Sequence, residues 1–392
     1  MGNTKRAIIF SLIILPFMLN IALIDFMIPI KYDIIIDNLP FFGLLITIAW
    51  FASSLFDFSV GDITDRLGVR KTIQAGVIIS VVGAVIFAFS SNFLIMTFGV
   101  FIWGLSYVLL TIPSDTYIFS AFSKKYSGSA YGWMYFFFGL AYALAPLIGY
   151  FIVTYFSVNS AILAAAIISA FTLPLIFLIR SRDKERFVEA VDNVVRKDGV
   201  ILKELKDISK MNFREICLLI NMFICGMWFM IVMFGAPLLF FHEEKNLLHG
   251  ALLTFAFMLP FAFMDLGFGK LANSEKKRLL MIKLGLIMAS LLLFVFYFTT
   301  NFYLLLALAI ITTFTANMAW TSSEIHVSEY LPKGRKGEFM GIFVTGKDMG
   351  FNLAPLIYGF FAAFNLKLPF LIIGAILFFA WMLFMFAYRR KR

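Results

Sequence analysis

The sequence predicts an all-α integral membrane protein with twelve transmembrane helices, arranged as two six-helix bundles that form an internal repeat. Composition is the first observation behind this prediction: 61% of the 392 residues are hydrophobic, only 14% are charged, and the mean hydropathy is +0.92. Soluble domains do not reach such values. The second observation is that the apolar residues form twelve runs long enough to span a bilayer as helices. The third is that the second half repeats residues of the first at a fixed offset.

The twelve runs divide evenly between the two halves of the chain. Those of the first half lie at Ala7–Ile30, Pro40–Val60, Thr72–Ser90, Phe93–Phe119, Ala130–Phe156 and Ser160–Ile179. Those of the second lie at Ile216–Phe241, Leu248–Phe268, Leu279–Phe298, Phe302–Ile325, Phe339–Phe364 and Pro369–Tyr388. The predicted organisation is a bundle over 1–182, a cytoplasmic amphipathic linker over 183–212, and a bundle over 213–392. The first run is long enough to span, so it predicts a retained helix rather than a cleaved signal.

The distribution of basic residues orients the bundle. Lys31, Lys245 and Lys367 are the only basic residues predicted in outer loops, and Lys347 falls within a span. All the other Lys and Arg residues fall on one face, which the positive-inside rule assigns to the cytoplasm together with both termini. The net charge of +10 is therefore a signal of topology in the cytoplasmic membrane, and no nucleic-acid partner is predicted.

Several functional classes find no support in the sequence. No P-loop is present, so ATP-driven pumping is not indicated. Cys217 and Cys225 share one apolar run and exclude a disulfide framework. The three histidines sit at span ends and form no nucleophile–base pair or metal cluster at depth. We therefore predict neither an enzyme nor a bound metal or other cofactor.

The loop after the second run carries the most specific motif. It reads Gly61-Asp62-Ile63-Thr64-Asp65-Arg66-Leu67-Gly68-Val69-Arg70-Lys71. It resembles the loop signature of the major facilitator superfamily, G-x-x-x-D-R-x-G-x-[RK]-[RK], although Val69 replaces a basic residue. The resemblance implies an alternating-access carrier that rocks two halves around a midplane site for a small-molecule substrate.

The two halves repeat one another along their length. At an offset of 208, Asp57 and Gly61 fall on Asp265 and Gly269. At an offset of 209, Ser114-Asp115 falls on Ser323-Glu324, and Ala145-Pro146 falls on Ala354-Pro355. Features shared by both halves are expected to serve the scaffold and its gates, whereas ionisable residues found in one half only are candidates for substrate or ion chemistry.

By resemblance, the shared polar residues near the cytoplasmic ends form an inner gate. A carboxylate at a helix N-terminus, with ion pairs beside it, would stabilise the closed gate by about 1–3 kcal/mol. The alternative is that they are interfacial charges that anchor helix ends, and for Asp57 both interpretations stay open. The predicted gate residues are Asp57, Gly61, Asp65, Arg66, Gly68, Arg70, Lys71, Asp115, Asp265 and Glu324.

Asp25 is the first unshared charge. It precedes Pro29 in a D-x-x-x-P pattern, and the corresponding stretch Met233–Pro237 keeps the proline but has no acid. The pattern resembles that of drug:proton antiporters, in which this acid contacts a cationic drug or carries the proton. A charged carboxylate in an apolar span is costly, so it is protonatable, paired or facing water. The alternative is a hydrated acid near the outer surface.

Lys347 and Asp348 are the other unshared charges, within the eleventh predicted span. Lys347 either meets Asp57 across the helix contact that the family fold implies or points toward an anionic substrate. Asp348 is a candidate second site for a proton or cation. The alternative is an internal charge pair that only orients helices.

Other side chains are expected to line the cavity or to bend helices. The predicted cavity-lining residues are Asn20, Trp103, Tyr107, Asn221, Trp228, Asn317, Trp320 and Asn352. The fifth run partly matches an antiporter motif, G-P-x-x-G-G, and the predicted helix-bend residues are Ala145, Pro146, Gly149 and Pro355. In the family that the chain resembles, the fourth span carries an arginine that contributes to proton coupling. Val100 stands at that place here, so carboxylates such as Asp25 or Asp348 are expected to carry any coupled proton.

These observations predict a secondary transporter that works as a monomer and exports a hydrophobic or amphipathic small molecule coupled to protons. The first alternative is uptake or facilitated transport of an organic anion or metabolite, with Lys347 as the anion contact. An alternative from another class is a transport-inactive membrane receptor or scaffold.

Overall fold

The computed structural model describes residues 3–122, 124–179, 208, 211–271, 274–327 and 336–389, and over these residues it contains helices and no strands. Most of the predicted linker lies outside them, as do the side chains of Asp57 and Asp265. The first helices are α1 Asn3–Ile35, α2 Leu39–Ser54, α3 Asp57–Leu67, α4 Val69–Phe89, α5 Phe93–Ala121, α6 Lys124–Tyr155, α7 Val158–Ala170 and α8 Thr172–Leu175. A 3-10 turn, Ile176–Leu178, follows. The later helices are α9 Phe213–Phe241, α10 Leu247–Leu271, α11 Glu275–Phe298, α12 Phe302–Val327, α13 Lys336–Ala362 and α14 Leu368–Ala387.

Most of these helices are suited to a bilayer. Among the described residues, nine are long and apolar enough to cross a membrane, and two further apolar helices, Leu39–Ser54 and Leu247–Phe263, are shorter. The all-helical, membrane-spanning class is therefore confirmed. The total of twelve spans and the internal repeat stay predictions.

The second predicted span, Pro40–Val60, is interrupted in the structure. α2 ends at Ser54 and α3 begins at Asp57. The Ser53 and Ser54 hydroxyls donate to the carbonyls of Trp50 and Phe51 at 2.8 and 3.0 Å. Such back-bonding slightly destabilises a helix, and here it lies beside the break.

Helix ends follow recognisable capping chemistry. Asn212 and Glu215 form a capping box at the start of α9, and the Asn92 side chain accepts from two backbone N–H groups at the start of α5. Gly68 joins α3 to α4 with φ 84°, and its N–H donates to the Thr64 carbonyl at 2.9 Å. This conformation favours glycine, which gives the signature glycine a structural reason.

The expectation that Lys31 lies in an outer loop is wrong. α1 continues to Ile35, and Lys31 is buried. Its ammonium donates to the carbonyls of Phe87 and Ala88, at the end of α4, at 2.5 and 2.7 Å, and to Asn159 Oδ1 at 2.9 Å. Lys367 caps the C-terminal end of α11 in a similar way, because its ammonium donates to the Thr299 carbonyl at 2.5 Å. Both ammonium groups satisfy carbonyls at the electronegative end of a helix.

The chain divides into two compact units, Met1–Asp37 with Ile48–Val200, and Asn38–Thr47 with Ile201–Arg392. In the first unit, α1 packs on α6 and α7, and α4 packs on α5. In the second, α9 packs on α13, and α11 packs on α12 and α14. The second unit includes the start of α2, where Thr47 Oγ1 accepts from the backbone N–H of Leu356 at 3.1 Å.

Glycines allow α9 and α13 to approach closely in the second unit. A Cβ on Gly226 would collide with the backbone carbonyl of Lys347, and one on Gly350 would collide with the carbonyl of Phe223. Backbone-to-backbone contact of this kind fixes the position of α13 along α9, and with it the position of Lys347.

Candidate functional site

The Asp25 carboxylate lies in the interior of the first unit. Its side chain is only 4% exposed, and the hydroxyl of Tyr142 on α6 donates to its Oδ2 at 2.6 Å. Among the described residues, Tyr142 is the only hydrogen-bond partner found for Asp25. α1 therefore contributes the acid and α6 the phenol that holds it.

Both groups lie at points where their helices lack a backbone hydrogen bond. Proline has no N–H, so the carbonyl four residues earlier loses its helical donor. Pro29 stands four residues after Asp25, and Pro146 four residues after Tyr142. Gly149 adds close contact between the helices, since a Cβ there would come within 2.5 Å of Met27 Cε and 3.0 Å of Leu23. Ala145, which is also buried, has a small side chain and so keeps α6 narrow in this region.

A second polar cluster in the first unit contains two of the predicted cavity residues. Asn20 is fully buried, and its Oδ1 accepts from Ser80 Oγ at 2.6 Å and from Trp103 Nε1 at 3.4 Å. These groups link α1, α4 and α5. Tyr107, one turn along α5 from Trp103, is half-buried.

The second unit contains a cluster of aromatic side chains around the Lys347 ammonium. We name as the aromatic cradle Trp228, Phe229, Phe261, Trp320 and Phe351. Phe229 lies against Phe261, Phe351 and Trp320, with ring centroids 5.3, 5.6 and 6.1 Å apart. Trp228 lies 5.8 Å from Phe261. Four helices, α9, α10, α12 and α13, thus contribute to one cluster.

Lys347 places its ammonium over two of these rings. Its Nζ lies 5.5 Å from the ring centroid of Phe351 and 5.8 Å from that of Trp320. These are cation–π distances, and the described part of the chain shows no hydrogen bond or ion pair for this ammonium, while the adjacent Asp348 carboxylate is close enough to interact with it electrostatically. Trp320 in turn donates from Nε1 to Glu324 Oε1 at 2.7 Å. Half-buried Asp348 follows Lys347 on α13.

The remaining predicted polar residues of the second unit lie near the cradle. Asn221 donates to Ser323 Oγ at 2.5 Å, and Asn352 is buried on α13. The indole N–H of Trp228 and the amide N–H of Asn317 are buried and, within the described residues, have no acceptor. Donors left without partners in an apolar setting are suited to contact a bound solute.

The predicted inner-gate residues are described only in part. Asp65 is exposed at the end of α3, while Arg66 and Lys71 are half-buried and make contacts. The Arg70 guanidinium lies 5.5 Å from the Phe177 ring centroid. Asp115 lines an open surface depression of about 520 Å³ together with Ile112, Thr116 and Ser120. Gly61 has open space around its Cα.

Sequence reasoning missed Tyr142 and three of the five residues of the cradle. Tyr142 stands 117 positions from Asp25, so no local pattern pairs them. One signal was available: Asp25, Tyr142 and Phe351 each stand four residues before a proline. Prolines inside three continuous helices therefore mark residues of the candidate site.

An all-helical, apolar protein with buried charges held inside helix bundles belongs to the class of integral membrane proteins. Comparison with protein families matches residues 10–299, and again 218–392, to the Major Facilitator Superfamily. The chain belongs to this superfamily, and it is a membrane transporter for a small molecule rather than an enzyme. A search of curated proteins found no significant match.

Proposed function

We propose that the protein is a proton-coupled exporter of a hydrophobic or amphipathic small molecule, located in the cytoplasmic membrane with both termini in the cytoplasm and active as a monomer. The observation that carries this proposal is the Asp25–Tyr142 pair. A carboxylate that is 4% exposed and bonded to a neutral phenol is costly to keep ionised in an apolar setting. It is therefore suited to take up a proton in one state of the transport cycle and to release it in another.

The aromatic cradle supports an amphipathic substrate. Its rings offer large apolar area, and the unpartnered donors of Trp228 and Asn317 offer a few polar contacts. Ligand sites typically combine mostly apolar walls with a small number of placed polar groups. A sugar would need many more hydrogen-bonding side chains.

The decisive experiment changes Asp25 to Asn. Proteoliposomes are given an outward gradient of ethidium, an amphipathic aromatic cation, and the internal pH is followed with a trapped dye. We expect ethidium-driven proton movement in the wild type and none in Asp25→Asn, while ethidium still binds, because the amide keeps the shape but cannot exchange a proton.

Asp37→Asn is the matched control, since Asp37 is an exposed carboxylate just after the same helix. It should behave like the wild type. Ethidium flux without proton movement in both the wild type and Asp25→Asn would overturn coupling.

A second candidate function is uptake or facilitated transport of an organic anion. Lys347 favours it, because this ammonium lies over two rings and, in the described part of the chain, forms no ion pair, although the adjacent Asp348 interacts with it electrostatically. An aromatic carboxylate would pair its anion with Lys347 and its ring with the cradle.

A further inference from the structure

Rings alone hold the Lys347 ammonium in the aromatic cradle. Its Nζ lies 5.5 Å from the ring centroid of Phe351 and 5.8 Å from that of Trp320, and within the described residues it makes no hydrogen bond or ion pair. Lys31 provides a contrast, since its ammonium lies 5.0 Å from the ring centroid of Phe87 but is also fixed by three hydrogen bonds. A charge-assisted hydrogen bond is stronger than a contact with a ring face. The Lys347 ammonium can therefore leave its position at a smaller cost than that of Lys31.

The backbone at Lys347 is fixed, so a movement of the ammonium is confined to the side chain. A Cβ on Gly226 would collide with the Lys347 carbonyl, and one on Gly350 would collide with the Phe223 carbonyl. These contacts leave α13 no room to approach α9 more closely. The four-carbon stem of a lysine is flexible, so the ammonium can swing away from the rings while α13 stays in place.

Two carboxylates lie near this one ammonium. Asp348 follows Lys347 directly and interacts with it electrostatically. Glu324 Oε1 accepts from the indole N–H of Trp320 at 2.7 Å, so it lies at the edge of one of the two rings that hold the ammonium. With both acids ionised, this group of side chains has one more negative charge than positive. If the ammonium pairs with Asp348, Glu324 is left as the counter-charge for another cation over Trp320.

The cradle is suited to hold an organic cation in place of the lysine. Aromatic ring faces bind quaternary ammonium groups by the same contact that they make with a lysine. Phe229, Phe261, Trp320 and Phe351 are half-buried, so part of each side chain is left uncovered by the protein and offers apolar area to the rest of a ligand. Two cations over the same rings would repel each other, so the binding of one requires the other to withdraw.

We propose that Lys347 is an internal occupant of the aromatic cradle and that an amphipathic organic cation displaces it. The lysine ammonium moves to the Asp348 carboxylate, and the organic cation takes its place over Trp320 and Phe351, beside Glu324. No covalent bond changes, since one cation is exchanged for another. This inference names the substrate class of the proposed exporter and rests on the proposed role of the cradle as its substrate site.

The test follows the Lys347 side chain while a cation binds. Protein with lysines isotopically labelled at Cε is studied by NMR in detergent, and the Lys347 signal is the one that Lys347→Arg removes. The probe is benzyltrimethylammonium. A side chain over aromatic rings has an upfield-shifted signal, and we expect this shift to disappear as benzyltrimethylammonium saturates the protein. Neopentylbenzene, the neutral molecule of the same shape, should leave the signal in place.

Affinity for the same probe gives a second measurement, by calorimetry. Lys347→Met removes the competing ammonium and keeps most of the apolar stem, so it should bind benzyltrimethylammonium about tenfold more tightly than the wild type. Lys347→Arg keeps the charge and should bind no more tightly than the wild type. Asp348→Asn should weaken binding more in the wild type than in the Lys347→Met background, because only the wild type has an ammonium to accommodate.

Lys245 is the control within the same spectra, with its signal assigned by Lys245→Met. Its ammonium lies 5.1 Å from the Phe241 ring centroid, outside the cradle, and its signal should not move. A Lys347 signal that stays upfield at saturation would overturn displacement, even if Lys347→Met binds more tightly, since simple repulsion would explain the tighter binding. Absence of binding in both proteins, or an equal shift with neopentylbenzene, would overturn the assignment to cations. Failure of the proposed function gives a different result, namely displacement of Lys347 together with no ethidium-driven proton movement in proteoliposomes.

Discussion

The surroundings of Lys347 separate the two candidate functions at the scale of single residues. If an aromatic carboxylate is a substrate, Lys347→Met should weaken benzoate binding by about ten- to a hundredfold, because a charge-assisted contact is worth about 1.5–3 kcal/mol. Methionine keeps most of the apolar stem, so the packing on Trp320 and Phe351 changes little. Isothermal titration calorimetry with benzoate measures the effect.

Lys245→Met provides the matched control for that substitution. Lys245 also places its ammonium 5.1 Å from a ring, that of Phe241, but at the end of α9. It should leave benzoate binding unchanged. Equal benzoate affinity in the wild type and Lys347→Met would remove the organic-anion candidate.

Single residues also show where sequence-based prediction reaches its limit. Asp25 was identified because an acid in an apolar run is physically costly wherever the run folds. Its partner was not identified, since a contact across 117 positions depends on which helices pack together. The same holds for Phe229 and Phe351, which are unremarkable in a sequence with 50 phenylalanines and gain a role only through their neighbours.

The close contact of α9 with α13 gives a prediction at the scale of helices. Gly226→Ala should lower the melting temperature in detergent, because its Cβ would collide with the carbonyl of Lys347. Overpacking of this kind typically costs about 1–3 kcal/mol. The backbone of α13 has to move away, so the Lys347 ammonium should also leave the cradle.

Gly128→Ala is the control, since a Cβ at Gly128 meets nothing within 4 Å. It should melt like the wild type. If Gly226→Ala is equally stable, the close approach of α9 and α13 is not a constraint on the fold.

Helices were predictable from the sequence in type and approximate position but not in their breaks. Long apolar runs determine that a span is helical, because the bilayer leaves no other partner for backbone groups. The end of α2 at Ser54 falls inside an apolar run, and hydropathy alone does not reveal it. Pro174, by contrast, is a visible signal: it removes the hydrogen-bond donor for Ala170, where α7 ends.

Membrane orientation is a property of the whole molecule and gives the last prediction. Cys217 and Cys225 are buried and free, and replacing both by Ala leaves a background for single reporter cysteines. We expect Lys5→Cys to react with a membrane-impermeant maleimide only after permeabilisation, because the positive-inside rule places the N-terminus in the cytoplasm. Asn301→Cys, in the short turn between α11 and α12, should react in intact cells. Labelling in the opposite pattern would reverse the proposed orientation and the assignment of export.

Lys31 and Lys367, which cap the C-terminal ends of α4 and α11, have a consequence for how the protein inserts into the membrane. In the proposed orientation both residues must reach the outer side during biogenesis, and a membrane potential that is negative inside opposes this by about 2.3 kcal/mol per charge for each 100 mV. Contacts of the two ammonium groups with the Phe87 and Thr299 carbonyls form only after translocation, so they offset part of that electrical work once each lysine has reached the outer side. Each of these two lysines therefore both caps the end of a helix and adds to the work of moving its segment across the membrane.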